Sequence, residues 1–171
     1  MLDVYKIRED FPILGKKVNN TDLIYFDNAA TSQTPNQVID VISDYYKQYN
    51  SNIHRGLHSL SADATNKYEN SRTLIKNHFG ASHEHEIIFT SGTTHGINII
   101  SSGLEKQISS KDELIVSEME HHSNIVPWQM LCEKTGSKLK VIPINDDGTL
   151  NMDEYKSLIT PAVKFVFINN V

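Results

Sequence analysis

The sequence predicts an α/β layer fold, on three observations. Short apolar runs alternate with helix-length amphipathic stretches along the chain. Two of those runs, Ile115-Val116 and Phe165-Val166-Phe167-Ile168, are continuous, as strands buried on both faces of a sheet are. Helix-start and helix-stop residues stand between the runs where such a fold needs them.

Taken in order, a first helix is expected at Val4 to Asp10, ending before Pro12. A strand follows at Leu23 to Phe26. Thr34-Pro35-Asn36-Gln37 reads as a helix start: Thr34 caps, Pro35 takes the first turn and Gln37 closes a capping box. Val38, Val41, Ile42, Tyr45 and Tyr49 give that helix one apolar face. A loop carries Asn52 to His58. A longer helix runs from Leu60 to Phe79, lined on one side by Leu60, Ala64, Tyr68, Ile75 and Phe79, with Gly80 as its left-handed terminator. Strict alternation follows. Strands are expected at Glu86–Thr90, Glu113–Ser117, Lys138–Ile144 and Val163–Ile168, and helices at Thr93–Ser102, Asn124–Thr135 and Met152–Ile159. Asn151 with Glu154 resembles a second capping box.

The 171 residues suffice for one compact core. The formal net charge is -5 and the basic residues are scattered, so the chain has no electrostatic footprint for nucleic acid or an anionic membrane. No apolar run approaches the roughly 20 residues of a membrane helix. The N-terminus lacks a signal-like apolar stretch, and the protein is expected to be cytoplasmic. Cys132 is the only cysteine, so an internal disulfide is impossible. It reads as a buried thiol, because no activating base is visible nearby.

Ligands of α/β sheets bind beyond the carboxyl ends of the strands, which singles out two turns. The first is Thr90-Ser91-Gly92-Thr93-Thr94-His95-Gly96. Gly92 allows close backbone approach. The helix start offers free N–H groups and a positive dipole end, and Thr93 and Thr94 add hydroxyl donors. This suits a phosphate; a plain helix cap is the competing reading. No Gly-Lys-Ser/Thr is present, which disfavours ATP hydrolysis. The second turn is Glu118 to Trp128, with His121 and His122. A histidine there can stack on an aromatic ligand or exchange protons near neutral pH. The competing reading is a metal held by Glu120, His121 and His122, or by His54 and His58. Gly56 and Arg55 between the latter pair, and the lack of a Cys pair or His-Glu-x-x-His, disfavour it. His78, His83, His85 and His95 read as surface or capping residues.

Five segments together resemble a known family: Arg8-Glu9-Asp10-Phe11-Pro12, Tyr25 to Pro35, Asn52 to Ser61, Gly92 to Asn98, and Glu118 to Trp128. They resemble the group II, sulfur-mobilisation (SufS-type) cysteine desulfurases and selenocysteine lyases, within the class V aminotransferases. The resemblance runs from about residue 5 to the end. It implies a pyridoxal 5'-phosphate (PLP) dependent transferase of fold type I, like aspartate aminotransferase. Residues 1–20 would be an N-terminal segment packing with the small domain, and residues 21–171 the N-terminal portion of the large, cofactor-binding domain.

The same resemblance implies that Thr93 and Thr94 hold the cofactor phosphate. His121 would stack on the pyridine ring and take part in proton transfer. Ala29, Ala30, His54 and Arg55 would border the substrate pocket, and no metal is implied. The implied reaction converts L-cysteine to L-alanine and passes sulfur to an enzyme persulfide for iron–sulfur cluster assembly. L-Selenocysteine is an implied alternative substrate; a sulfur-acceptor protein and a homodimer are the implied partners. Ser91 and His95 depart from the family, some of whose members carry Arg at the first position and which often carry Glu at the second, near the expected dimer interface.

The Schiff-base lysine, the acid that pairs with the pyridine nitrogen and the nucleophilic cysteine of the family lie further along the chain than Val171. The sequence therefore reads as an N-terminal fragment, inactive by itself and ending on a strand at Asn169-Asn170-Val171. The alternatives are another class V reaction (epimerase or transaminase), a non-catalytic fragment, and metal-dependent hydrolysis.

Overall fold

The computed structural model describes residues 2–169. The chain divides into two compact units, residues 1–87 and 88–171.

In the first unit, α1 (Val4–Glu9) is capped by Asp3, whose carboxylate accepts from the Lys6 N–H at 3.1 Å. A 3-10 turn over Pro12–Gly15 leads into a hairpin of β1 (Lys17–Val18) and β2 (Thr21–Asp22). Asn19 and Asn20 at its tip have φ of 52° and 63°, as a tight two-residue turn requires. The hairpin was not expected from the sequence. It also displaces the expected strand at Leu23–Phe26. The Leu23 N–H still reaches Lys16 O, but β1 is only two residues long, so the ladder stops there and Phe26 stands 93% exposed.

The helix α2 (Asn36–Asp44) starts differently from the expected capping box. Pro35 is extended and is itself the cap residue; Asn36 N–H donates to Asp10 O at 2.7 Å, and Gln37 Nε2 donates to Asp10 Oδ1 at 2.9 Å. Asp10 thus holds this helix start, because Gln37 reaches across to it instead of back to Thr34. A π-turn over Tyr45–Tyr49 follows, and the Lys67 ammonium sits 3.4 Å over the Tyr49 ring. The long helix α3 (Ser59–Phe79) matches expectation. His58 caps it, and Gly80, at φ 68°, ends it in a Schellman motif: Ala81 N–H reaches Lys76 O and Gly80 N–H reaches Asn77 O.

The expected strand at Glu86–Thr90 is also corrected. Glu84–Glu86 forms a 3-10 turn closed by a His83/Glu86 capping box. Ile87 is extended, but among the described residues no ladder partner pairs with 87–90, and an extended segment becomes a strand only by pairing.

The second unit is built on a parallel sheet in the order β4-β3-β5. Its elements are α4 (Thr93–Leu104), β3 (Glu113–Ser117), α5 (Val126–Thr135), β4 (Lys138–Ile142), α6 (Met152–Leu158) and β5 (Val163–Phe167). β3 is paired on both sides, in register Glu113↔Lys138 through Ser117↔Ile142 on one and Leu114↔Phe165 through Val116↔Phe167 on the other. Leu114 and Ile115 are 0% exposed. Ile108, Leu114, Val116, Trp128, Leu131 and Cys132 form one core cluster, with Phe165 and Phe167 packed against it. The Trp128 ring stacks on Phe167, with centroids 3.6 Å apart. Cys132 is buried in this core, which agrees with the inert-thiol reading.

Two boundaries shift for local reasons. α5 begins at Val126, not Asn124, because a 3-10 turn over His122–Asn124 precedes it and the Asn124 side chain is engaged elsewhere. β4 ends at Ile142 because Pro143 has no N–H for the ladder; Ile144 makes only an isolated bridge to Leu150. Asn151 caps α6 by accepting the Glu154 N–H at 2.9 Å. The expected strand end at Asn170-Val171 lies outside the described residues. No helix among the described residues is long and apolar enough to cross a membrane.

Truncating the central strand should be costly. Leu114→Ala is expected to destabilise by about 2–5 kcal/mol, and Val141→Ala, on the half-exposed face of β4, by well under that, as measured by urea titration.

Candidate functional site

The sequence-predicted residues fall into the two units. Ala29, Ala30, His54 and Arg55 belong to the first; Thr93, Thr94 and His121 belong to the second.

In the first unit, Ala29 and Ala30 lie in an exposed turn after Asp27. The Tyr25 hydroxyl is hydrogen-bonded to Asp27 O at 3.0 Å and Thr31 O at 2.6 Å, clasping the ends of that turn. With methyl side chains, the turn leaves its backbone open to a ligand. The 52–58 loop is held down by the buried Ser61, whose Oγ donates to Asn52 O at 2.8 Å and accepts Gly56 N–H at 3.1 Å. A Cβ on Gly56 would lie 2.3 Å from the Ser61 side chain, so glycine is required there.

His54 sits on this loop at φ 70°, a left-handed conformation that is unusual for a residue with a side chain. Its N–H donates to Thr65 Oγ1 at 2.9 Å, and Nε2 lies 3.4 Å from Glu69 Oε1. Glu69 also pairs with Arg72 at 3.2 Å. Strain of this kind persists only where neighbours over-determine it; Thr65 and Glu69 supply those contacts. Arg55 is exposed.

In the second unit, α4 starts after Gly92, whose φ of 138° and ψ of 173° are accessible only to glycine. No side chain among the described residues caps this helix. Among the described residues, neither the Thr93 nor the Thr94 hydroxyl has a hydrogen-bond partner, and both residues are exposed. The first turn therefore presents free N–H groups, two hydroxyls and the positive dipole end to solvent, a donor set that fits a phosphate dianion. Ser91 and His95, the two departures from the family pattern, are each other's partners: the Ser91 N–H donates to His95 Nδ1 at 3.3 Å and Ser91 Oγ lies 3.0 Å from the same atom.

The His122–Asn124 turn packs against α4, which brings the two turns to one side of the unit. His121 precedes that turn, and its Nδ1 accepts the Ser123 N–H at 3.1 Å. A backbone N–H can only donate, so in the neutral imidazole the proton sits on Nε2. Ser123 Oγ lies 2.9 Å from the same Nδ1. The exposed edge of His121 therefore presents an Nε2–H donor. The rings of His121 and His122 are nearly perpendicular, at 83°, so they face different directions. Among the described residues, no three His, Cys, Asp or Glu converge as metal ligands.

Sequence reasoning missed Glu120 as anything but a metal candidate. Its side chain is buried, 8% exposed. Oε1 accepts from Ser117 Oγ at 2.6 Å and from the Asn169 N–H at 2.9 Å; Oε2 accepts from Asn124 Nδ2 at 2.7 Å. Burial opposes the charge, but these three donors outweigh it and hold the carboxyl below the ordinary glutamate range. The i, i+4, i+8 spacing of Glu120, Asn124 and Trp128 was the available signal.

Residues 24–171 match the model of the family described as aminotransferase class-V. The chain belongs to the class-V aminotransferase family. Among similar proteins, a probable cysteine desulfurase of Staphylococcus epidermidis is 50% identical over 170 residues, covering 99% of this chain and 41% of that protein. One from Staphylococcus aureus is 47% identical over the same shares. The chain thus spans about two-fifths of the length of the curated relatives it matches. Of solved structures, the apo cysteine desulfurase of Thermococcus onnurineus NA1 superposes with a TM-score of 0.86 at 37% identity, over 97% of this chain and 40% of that one. The α/β fold is that of the fold-type-I enzymes.

The lowered Glu120 pKa sets the direction of a pH effect. The stability it contributes is fully present above the ordinary glutamate pKa and is lost as pH falls through the lower, folded value. Urea midpoints of the wild type should fall from about pH 5 downward, and those of Glu120→Gln less steeply over the same range.

Proposed function

We propose that this chain carries part of the cofactor and substrate site of a PLP-dependent cysteine desulfurase of the group II, sulfur-mobilisation type. The observation that carries the reading is the pairing of the uncapped, partner-free donor turn at Thr93-Thr94 with an exposed His121 on the adjacent turn. The class-V family and the cysteine desulfurase names of relatives at 50% and 47% identity support it.

On this reading the roles are as follows. The free N–H groups of the α4 start and the Thr93 and Thr94 hydroxyls would hold the PLP phosphate. When bound, PLP supplies an electron sink for charge developing on the substrate carbon. His121 would lie against one face of the ring and, with Nδ1 accepting from Ser123, would present its Nε2–H as a hydrogen-bond donor. The small Ala29-Ala30 turn leaves room for the substrate, and His54 and Arg55 border it, Arg55 suiting a carboxylate.

The whole protein takes L-cysteine to L-alanine. A thiolate from a part of the enzyme outside these 171 residues accepts the sulfur as a persulfide and passes it to an acceptor protein for iron–sulfur cluster assembly. A cytoplasmic homodimer and a lysine outside this chain, holding the cofactor covalently, complete the proposal.

The test is PLP titration of the full-length protein, followed by visible absorption. Thr93→Ala/Thr94→Ala is expected to weaken cofactor affinity by roughly a hundred-fold or more, because it removes two hydrogen bonds to a charged group, each worth about 1.5–3 kcal/mol. His121→Ala should shift the absorption band and lower the rate of alanine formation while PLP stays bound. Unchanged PLP affinity in the double variant would contradict the phosphate assignment.

A further inference from the structure

Glu120 ends a hydrogen-bond chain that can run in only one direction. At its far end is Trp128, buried in the core, whose indole Nε1–H donates and never accepts. Nε1 donates to Asn124 Oδ1 at 2.9 Å. Asn124 must therefore turn its amide nitrogen the other way, and Nδ2 donates to Glu120 Oε2 at 2.7 Å. The other carboxylate oxygen receives Ser117 Oγ at the end of β3 and the Asn169 N–H just past β5. Among the described residues, each hydrogen-bond partner of the Glu120 carboxylate is a donor, and none is a cation. Only a residue that accepts on both oxygens satisfies them. The next residue in the chain is His121.

We propose that Glu120 is a positioning residue for His121. Its carboxylate joins the ends of β3 and β5 to the turn that leads into α5, and so sets where His121 presents its ring face and its Nε2–H. The inference rests on the reading of His121 as the cofactor-facing histidine. Glu120 itself touches no reacting atom.

The one-way chain makes the test specific. In Glu120→Gln the amide has one acceptor. If it serves Ser117 and Asn169, the amide nitrogen meets Asn124 Nδ2, donor against donor. Turning Asn124 over only moves the conflict to the Trp128 N–H. Adding Asn124→Asp removes it: the glutamine nitrogen donates to the new carboxylate, whose second oxygen takes Trp128 Nε1–H. The charge has moved one step along the chain, and every donor again has an acceptor.

The experiment compares wild type, Glu120→Gln and Glu120→Gln/Asn124→Asp in the full-length protein. Two readouts are used: nitrogen NMR of the His121 ring in cofactor-free protein, and kcat and KM for alanine formation from L-cysteine in the holoenzyme. Glu120→Gln is expected to shift the His121 ring signals and to lower kcat roughly ten- to a hundred-fold, with KM little changed, the scale of a displaced catalytic group. The double variant is expected to regain both. If Glu120→Gln does not fold, recovery of wild-type His121 signals in the double variant carries the result.

Three outcomes overturn the proposal. One is wild-type His121 signals and kcat in Glu120→Gln. Another is a double variant with the wild-type urea midpoint but unrecovered His121 signals. The third is a loss of folded protein alone, with kcat per bound cofactor unchanged. Failure of the wild type to bind PLP would sink the site reading instead, while the cofactor-free NMR comparison would still decide the role of Glu120.

Discussion

The second unit depends on the confinement of β3. It is hydrogen-bonded to β4 on one side and β5 on the other, and its central residues are sealed from solvent. A strand held on four sides has no freedom in register, since a slip of one residue would exchange its two faces. Its carboxyl end is therefore a fixed point. Ser117, the last residue of β3, is also the first hydrogen-bond donor to Glu120. Rigidity passes from apolar burial into a polar turn at that atom.

From this fixed point the site is assembled by donors and acceptors rather than by packing. Glu120 collects the strand ends, His121 is oriented through Ser123, and Trp128 returns the chain to the core by stacking on Phe167. The α4 turn is the opposite case. Among the described residues its donors have no partner, which costs little at a helix end that solvent can reach and leaves them available to an anion. A histidine supported by its neighbours beside an open turn of free donors suits a ligand that carries a phosphate.

Much of this was legible in the sequence, for physical reasons that differ by element. β3 was predicted residue for residue, and α3 within one residue, because continuous apolar runs and glycine stops report local chemistry. The strands expected at Leu23–Phe26 and Glu86–Thr90 are absent because a strand is a property of a pair, and pairing partners are not written next to the segment that needs them. The Asn19-Asn20 hairpin carried a turn signal that was passed over. The helix start after Gly92 was readable, because a glycine followed by two hydroxyl residues at the end of an apolar run reports local chemistry. The Glu120–Asn124–Trp128 chain offered only its four-residue spacing, and because it spans a turn, a 3-10 segment and a helix start, that spacing does not mark a single helix face. The Ser91–His95 contact was seen only as two separate departures from a pattern, although it is one interaction.

The most direct test of the account is a crystal structure of the full-length protein with PLP bound. The account predicts the phosphate within hydrogen-bond distance of Thr93, Thr94 and the free N–H groups that open α4, with the pyridine ring lying against His121. A phosphate held elsewhere, or a ring with no contact to His121, would contradict it.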